Sequence, residues 1–568
     1  KTISSESSRR MAMKLDRTGQ YVKFSLAQPA NALVIRYCIP DSPDGEGMDA
    51  SLNLYINGRK SKAVEMTSRY SWSYGSYPWT NNPGDGNAHH FYDEVRIMLD
   101  ETYPAGTDIK LQKDAANLAD YYIIDFIEAE EVAGPGKRPE NSLSITEFGA
   151  VPNDETDDTR AILECIKAAQ KQGKEVWIPE GVFLMNEYTL DFDKGDNLNK
   201  NRGVVIAEDN LVIRGAGMWH SVLKGEYAAF FIKSSNIAFY DFSLIGSAAS
   251  RRDSVDPSAI ETDYNTPHME NITVQNVWIE HYKTGIWTHN LKGLHVTGCR
   301  IRNTYADGMN LRRGTSHSVV EHCDIRNTGD DALAQWSSDY SDTNNKIRFN
   351  TISLQWLANN IALYGGTDIE ITDNLIMDTV VNGAGVNIST NFNPVPFEGT
   401  IEVARNTLIR CGSFDTNHNY SNGAIWFNTV PGNDNHANIV IKDNLILDST
   451  YQGISFSNRG TVDNVLIEGN VIAGCGTYGI EIVSGASGSV VVKNNLVRNA
   501  TISEIHNSSE KAFTMDVLTD TDLSPENPEV RNIAYLIIPV VIIVSVSLAF
   551  LVFIPGKRNR KANSRKSQ

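Results

Sequence analysis

Apolar and polar positions along the chain change their period several times, and each change marks a different kind of structure. Residues 1–132 alternate with period two in short runs such as YVKFSLA, LVIRYCI and SLNLYING. That is the pattern of half-buried strands, and Asn57-Gly58 fits a hairpin turn between two of them, so a β-sandwich (jelly-roll) module is predicted. The Gly/Pro-rich text around EEVAGPGKRPEN ends the alternation and places a linker at 133–142. Residues 159–172 then space Ile162, Leu163, Ile166 and Ala169 along one helical face, with Gly173 as terminator. Such a helix suits the open end of a stack of strands, whose first edge would otherwise be bare.

From Glu175 to about residue 500 the text repeats without a helical stretch of useful length. An Asn or Cys followed closely by an aliphatic recurs at Asn276, Cys299, Cys323, Asn350, Asn374, Asn406, Asn444, Asn470 and Asn495. Successive separations are 23, 24, 27 and 24, then 32, 38, 26 and 25, as expected when loops are inserted into individual coils. A second register runs beside it: Gly285-Ile286, Gly308-Met309, Gly385-Val386, Gly453-Ile454 and Gly479-Ile480. Two strand registers per repeat describe a right-handed parallel β-helix, predicted over 143–505, with the asparagines as an internal amide ladder and the cysteines as buried packing groups.

The last change of period is at residues 533–554, twenty-two residues without a charge, followed by a basic tail at 555–568. That length matches a hydrocarbon core, and the Lys/Arg flank predicts a single-pass transmembrane helix with a cytoplasmic C-terminus, reached through a polar juxtamembrane connection at 506–532. The domain would then act at the extracellular face of the cell membrane. Export would require a signal sequence, which is expected upstream of the processed or truncated start at Lys1, and the first module also reads as joined a strand or two late.

Composition narrows the function. With 51 Lys+Arg against 69 Asp+Glu the net charge is −18, which argues against nucleic-acid binding and against a polyuronate substrate. Six cysteines and no CxxC pair exclude a disulfide scaffold or a zinc knuckle. Nothing in the pattern asks for a second copy, so a monomer is expected.

Repeat arithmetic locates the chemistry. Asp307 precedes Gly308 as residue 284 precedes Gly285, and one coil later the equivalent position is Asp331, with Asp330 beside it. Three carboxylates on adjacent coils repel one another and retain a proton, which is what general acid and base work on a glycosidic bond requires. Same-face residues on neighbouring coils are candidate substrate contacts: Trp287, His289, Asn310, Arg312, Gln335, Trp336, Tyr364, Asn387 and Trp426. In the first module, Trp72, Tyr74, Tyr77 and Trp79 form an aromatic loop suited to stacking on sugar faces.

At these residues a family resemblance becomes specific. FGAVPNDETDDTRAI is similar to the first coil of pectin-lyase-like β-helix proteins, and ADGMN with NTGDDALA resembles the catalytic strands of bacterial α-1,3-glucanases of the mutanase and mycodextranase type, glycoside hydrolase family 87. The first 130 residues resemble carbohydrate-binding sandwiches of the family 6 and 35 type. The resemblance implies an inverting hydrolase, with Asp330 as general acid and Asp307 and Asp331 activating water. It implies no cofactor for catalysis, a structural calcium in the first module, and α-1,3-glucan of the mutan or nigeran type as substrate. Polygalacturonases carry a Gly-His-Gly after the paired aspartates, which is missing after Asp331. Dextranase- or polygalacturonase-like hydrolysis, a polysaccharide lyase and a non-catalytic glycan-binding solenoid are the alternatives.

Overall fold

The computed structural model describes residues 1–186, 198–199, 203–457 and 459–518. The first part is a sandwich of two four-stranded antiparallel sheets. One holds Met13–Leu15, Tyr122–Glu130, Ala30–Cys38 and Asp93–Tyr103; the other holds Tyr21–Ser25, Asp108–Gln112, Asp49–Ile56 and Arg59–Thr67. Alternation sends Leu52, Leu54, Ile56, Ile109 and Leu111 inward. The hairpin at Asn57 (φ 48°) and Gly58 (φ 80°) has both central residues in the left-handed region, as its two-residue turn demands.

The second part is a parallel β-helix. Ile279, Ile301, Ile325, Ile352, Ile376, Leu408, Ile446, Ile472 and Val497 lie directly above one another on successive coils. The opposite wall is a 13-stranded sheet that stacks Ile286, Met309, Leu333, Ile361, Val386, Ile425, Ile454, Ile480 and Ile505 in the same way. Both ladders feed one apolar core that runs from Ile145 to Phe513. Helix Thr159–Gln172 covers the first coil with Ile162, Leu163, Ile166 and Ala169 buried, and Gly173 ends it at φ 62°. The final coil continues through Ser503–Asn507 and Phe513–Leu518, so strand pairing extends past 505 into the stretch expected to be a polar connection.

The amide ladder runs from Asn350 to Asn495. Each backbone N–H and each side-chain amide from Asn350 to Asn470 donates to the Oδ1 of the next asparagine at 2.9–3.0 Å. Cys323 takes the position below, its N–H donating to Asn350 Oδ1, and its thiol, like that of Cys299, points at backbone carbonyls. Asn276 does not belong to this ladder. Ile279 pairs with Ile301, which sets Cys299 opposite residue 277, and Asn276 instead adopts φ 52° and bonds Asp241.

The expected membrane anchor is corrected. Among the described residues no helix is long and apolar enough to cross a membrane, and the longest, Thr159–Gln172, is amphipathic and packed on the β-helix. Residues 533–554 lie outside the described residues. An uncharged run has the length for a membrane span, but length alone does not establish one. The transmembrane helix, the membrane as partner and the single-pass location are therefore withdrawn.

The sandwich is seated on the β-helix through buried charge. Glu94 accepts from Arg302 (3.1 Å) and Arg326 (2.6 and 2.9 Å), while Glu128 takes Arg326 in a two-pronged pair (2.7 and 2.8 Å). Burial opposes the Glu128 charge, yet these arginines hold its carboxyl down to about 2. The guanidinium groups of Arg96, Arg300 and Arg302 lie 4.5–4.8 Å from the Trp278 ring centre, and His281 reaches Asp93 while stacking on Tyr70. Arg36 donates to Asn327, whose own amide donates to the Tyr92 carbonyl. These contacts grip the coils immediately before Asp307 and Asp330, so the sandwich fixes the turn that carries them.

Candidate active site

Asp307 and Asp331 occupy equivalent places on adjacent coils: Gly285 N–H donates to the Asp307 carbonyl, and Gly308 N–H to that of Asp331. Gly308 is required between them, because a Cβ there would lie 2.5 Å from the Ala332 carbonyl oxygen. Each of the three aspartates offers an oxygen within 4.8 Å of the other two.

Their surroundings differ sharply. Asp331 is buried, and its Oδ1 accepts from the Asn359 N–H (3.0 Å) and amide (2.7 Å) while its Oδ2 accepts from the Tyr364 hydroxyl (3.0 Å). Burial, with the neighbouring Asp330 charge, pushes its carboxyl up to about 7 despite those bonds. Asp307 accepts from the Asn310 amide at 2.8 Å, and burial followed by the charges of Asp330 and Asp331 raises it well above the usual carboxylate range. Asp330 is more open and carries a counter-charge: Arg251 Nη1 donates to its Oδ2 at 2.7 Å. The cluster thus combines two carboxyls that favour a proton with a third that is ion-paired. Its oxygens are hard donors close enough to hold a cation, and it is the one such group of three or more acidic, His or Cys side chains among the described residues.

The outer face of the 13-stranded sheet forms a trough beside the triad. Trp287, Asn310, Ala334, Ala362, Asn387 and Trp426 share one row across six strands. Five steps of strand spacing make that row about 24 Å long. Arg312, Trp336 and Tyr364 form a parallel row two residues along, with His289 at its start. The Arg312 guanidinium lies 4.0 Å from the Trp336 ring. The indole N–H groups of Trp287 and Trp336 and the amide oxygens of Asn310 and Asn387 have no protein partner. Aromatic walls with unspent donors and acceptors fit a ligand rich in hydroxyls.

Eight of the nine residues expected in the cleft therefore share its face. Gln335 does not: it pairs in register with Leu311 and Leu363, points inward, and accepts from Asn345 at 3.2 Å. Strict alternation along Leu333–Trp336 sends it there, whatever its polarity. The aromatic loop of the sandwich is also placed differently from an open sugar platform. Trp72 packs on Phe91 and donates to the Ile39 carbonyl, Tyr74 bonds Asp41, and Trp79 leans on Trp356 of the β-helix. Tyr77 alone is exposed, at 54%, and it faces the triad side through Arg251. No acidic cluster of metal-holding geometry occurs among the described residues of the sandwich.

Sequence reasoning missed Arg251, Asn359 and the arginines of the domain contact. The last had a signal: Arg-Asn-Thr occurs at 302–304 and again at 326–328, one coil apart and just before each aspartate turn. Arg251 had none, since it sits in a loop inserted between strands Ile237–Ile245 and Ser258–Thr262.

Comparison with known proteins agrees with this architecture. The family described as α-1,3-glucanase catalytic domain D1 matches residues 2–132, and the family described as α-1,3-glucanase catalytic domain D2 matches residues 196–522, more than half of the chain. Among solved structures, the catalytic unit of a thermostable GH87 α-1,3-glucanase from Streptomyces thermodiastaticus strain HF3-3 is 32% identical, with 91% of each chain covered and a TM-score of 0.77. The Agl-KA catalytic domain is 28% identical over 91% of this chain and 93% of its own, with a TM-score of 0.78. A GH87 α-1,3-glucanase catalytic domain in complex with nigerose is 27% identical at the same coverage, with a TM-score of 0.75. No curated protein matches the chain. A sandwich gripping a β-helix, a carboxylate triad on adjacent coils and these matches together place the chain in the GH87 α-1,3-glucanase family.

Proposed function

We propose that the protein hydrolyses α-1,3-glucan with inversion, using Asp330 as general acid and Asp307 with Asp331 to activate water. The observation that carries this reading is the triad itself, set beside an aromatic trough in a GH87 chain. Solved structures of a GH87 α-1,3-glucanase in complex with nigerose or tetrasaccharides include three single aspartate-to-alanine variants. The substituted aspartates stand 23 residues apart and then adjacent, the spacing of Asp307, Asp330 and Asp331.

In this mechanism the glucan lies along the Trp287–Trp426 row. In the free protein burial and like charge hold the proton on the Asp307–Asp331 pair, so it must first pass to Asp330, which delivers it to the glycosidic oxygen as the C–O bond breaks. Water adds to the anomeric carbon and gives its proton to the Asp307–Asp331 pair so vacated, which restores the starting distribution. Oxygens within 4.8 Å make the cluster tighter than the roughly 6.5–9.5 Å between opposed carboxyls of most inverting hydrolases. The water is therefore assigned to two carboxylates acting together rather than to one across the ring. Trp287, His289, Asn310, Arg312, Trp336, Tyr364, Asn387 and Trp426 are the proposed glucan contacts.

We read residues 1–132 and 143–505 as two domains of one catalytic unit joined by 133–142. A structural calcium in the sandwich is a separate proposal, and catalysis is assigned to the carboxylates without a metal.

The test is a substrate panel on the full chain with and without EDTA. Reducing ends should appear from α-1,3-glucan and nigeran, unaffected by EDTA, and not from dextran or polygalacturonate. Release from dextran or polygalacturonate alone would overturn the linkage, and abolition by EDTA in a chain whose melting temperature is unchanged would overturn the metal-free mechanism.

A further inference from the structure

The ion pair at Asp330 lies within the β-helix and is braced by a ring of the sandwich, and the mechanism above leaves it unused. Arg251 lies in the 246–257 loop of the β-helix. Its Nη1 donates to Asp330 Oδ2 at 2.7 Å, and its Nε donates to Asp253 Oδ1 at 3.1 Å. Its guanidinium carbon sits 4.6 Å from the ring centre of Tyr77, which belongs to the sandwich. The arginine side chain is only 10% exposed, whereas Tyr77 is 54% exposed. Asp253 of the same loop and Tyr77 of the sandwich thus fix one guanidinium against the Asp330 carboxylate. Burial works against the Arg251 charge, but Asp330, Tyr77 and Asp307 offset it and hold the group protonated.

We propose that Arg251, seated on Tyr77 of the sandwich, is a positioning residue that aims Asp330 at the glycosidic oxygen and receives the negative charge that forms on it. This inference rests on the assignment of Asp330 as general acid. When Asp330 transfers its proton, a carboxylate forms beside Asp307 and Asp331, where like charge would raise the energy of the product side. A fixed guanidinium at 2.7 Å lowers it, because a charge-assisted bond strengthens as the oxygen becomes anionic. The sandwich then has a part in catalysis: through Tyr77 it orients the arginine that orients the acid. Arg251 touches Asp330 and not the reacting atoms, so its influence is confined to the proton-transfer step.

That confinement supplies the test. Fluoride departs from a glycosyl fluoride without needing a proton, so a defect in acid catalysis vanishes on such a substrate while a defect in folding or in water activation persists. Arg251→Ala, Arg251→Lys, Tyr77→Leu and Asp330→Asn are compared on α-1,3-glucan and on the α-fluoride of a nigero-oligosaccharide, using the full chain. On glucan, Arg251→Ala should lose roughly tenfold to hundredfold in kcat with KM little changed. Arg251→Lys should recover part of the loss, and Tyr77→Leu, an exposed site whose change leaves the core intact, should lose several-fold. On the fluoride all of them, Asp330→Asn included, should approach the parent rate. Loss by Arg251→Ala and Tyr77→Leu that is equal on both substrates, with Asp330→Asn restored by fluoride, would overturn the role of Arg251 and leave the acid assignment standing. Failure of fluoride to restore Asp330→Asn would overturn the acid assignment itself.

Discussion

Two stacks in this molecule obey the same geometric rule with opposite energetic results. From Asn350 to Asn495 the β-helix sets amide on amide, and each group both donates to one neighbour and accepts from another. At Asp307 and Asp331 it sets carboxyl on carboxyl, and an ionised carboxylate accepts only. Stacking makes the first turn self-complementary and the second self-repelling. The amide stack lowers the energy of the fold, while the carboxyl stack raises the proton affinity of its members. A solenoid therefore needs no special machinery to build a perturbed acid–base site; it needs only to repeat the wrong residue on two coils. A loop of the β-helix then supplies what the stack lacks, in the Arg251 counter-charge on Asp330, which Tyr77 of the sandwich braces.

Exchanging the residue types between the stacks should break the contrast. The largest effect is expected for Asp331→Asn and Asp307→Asn, which keep shape and remove charge. Each should reduce kcat on α-1,3-glucan by roughly 10²–10⁴-fold. The melting temperature at neutral pH should stay level or rise, because repulsion is relieved. A variant that melts early would show that the triad serves the fold.

The reverse exchange should act on stability. Asn406 donates its amide to the Ile371 carbonyl (2.8 Å) and to Asn444 Oδ1 (3.0 Å) inside the ladder. Asn406→Asp places an oxygen against both acceptors and should cost about 2–3 kcal/mol, measured by denaturant unfolding. Its kcat at low temperature should remain near the parent value, since the substitution lies coils away from Asp331. Full stability in this variant would mean the ladder is ornament.

A smaller effect separates the stacks by pH. Asp331 titrates near 7 in the folded chain and near the ordinary carboxylate value when unfolded, so the folded state binds the extra proton between those limits. Its contribution to stability is complete below the unfolded value and declines as pH rises toward 7. The difference in stability between the parent and Asp331→Asn should therefore change in favour of the variant over that window. A difference that is flat with pH would contradict the raised proton affinity.

Much of this was legible in the sequence because a solenoid converts separation along the chain into adjacency in space. Spacing alone aligned Asp307 with Asp331, stacked the asparagines from 350 onward and collected eight cleft residues on one face. Errors arose where that conversion lapses. Asn276 was one residue out of step, since its strand continues into the coil without the turn that later asparagines occupy. Gln335 was read by polarity rather than alternation. The buried arginines repeat one coil apart at 302 and 326, but their partners Glu94 and Glu128 lie in the other domain, and Arg251 sits in an inserted loop outside the repeat. The apolar run at 533–554, read as an anchor from its length, its lack of charge and its basic flank, lies outside the described residues, and among those no helix is long and apolar enough to cross a membrane.

A triad that performs a single displacement by water on an α-linked glucan must invert the anomeric centre. Proton NMR of the first product released from α-1,3-glucan by the full chain tests it directly. The β-anomer should appear at early times, followed by mutarotation toward equilibrium. Early accumulation of the α-anomer would mean retention, and would contradict the assignment of Asp307 and Asp331 as a shared base for water.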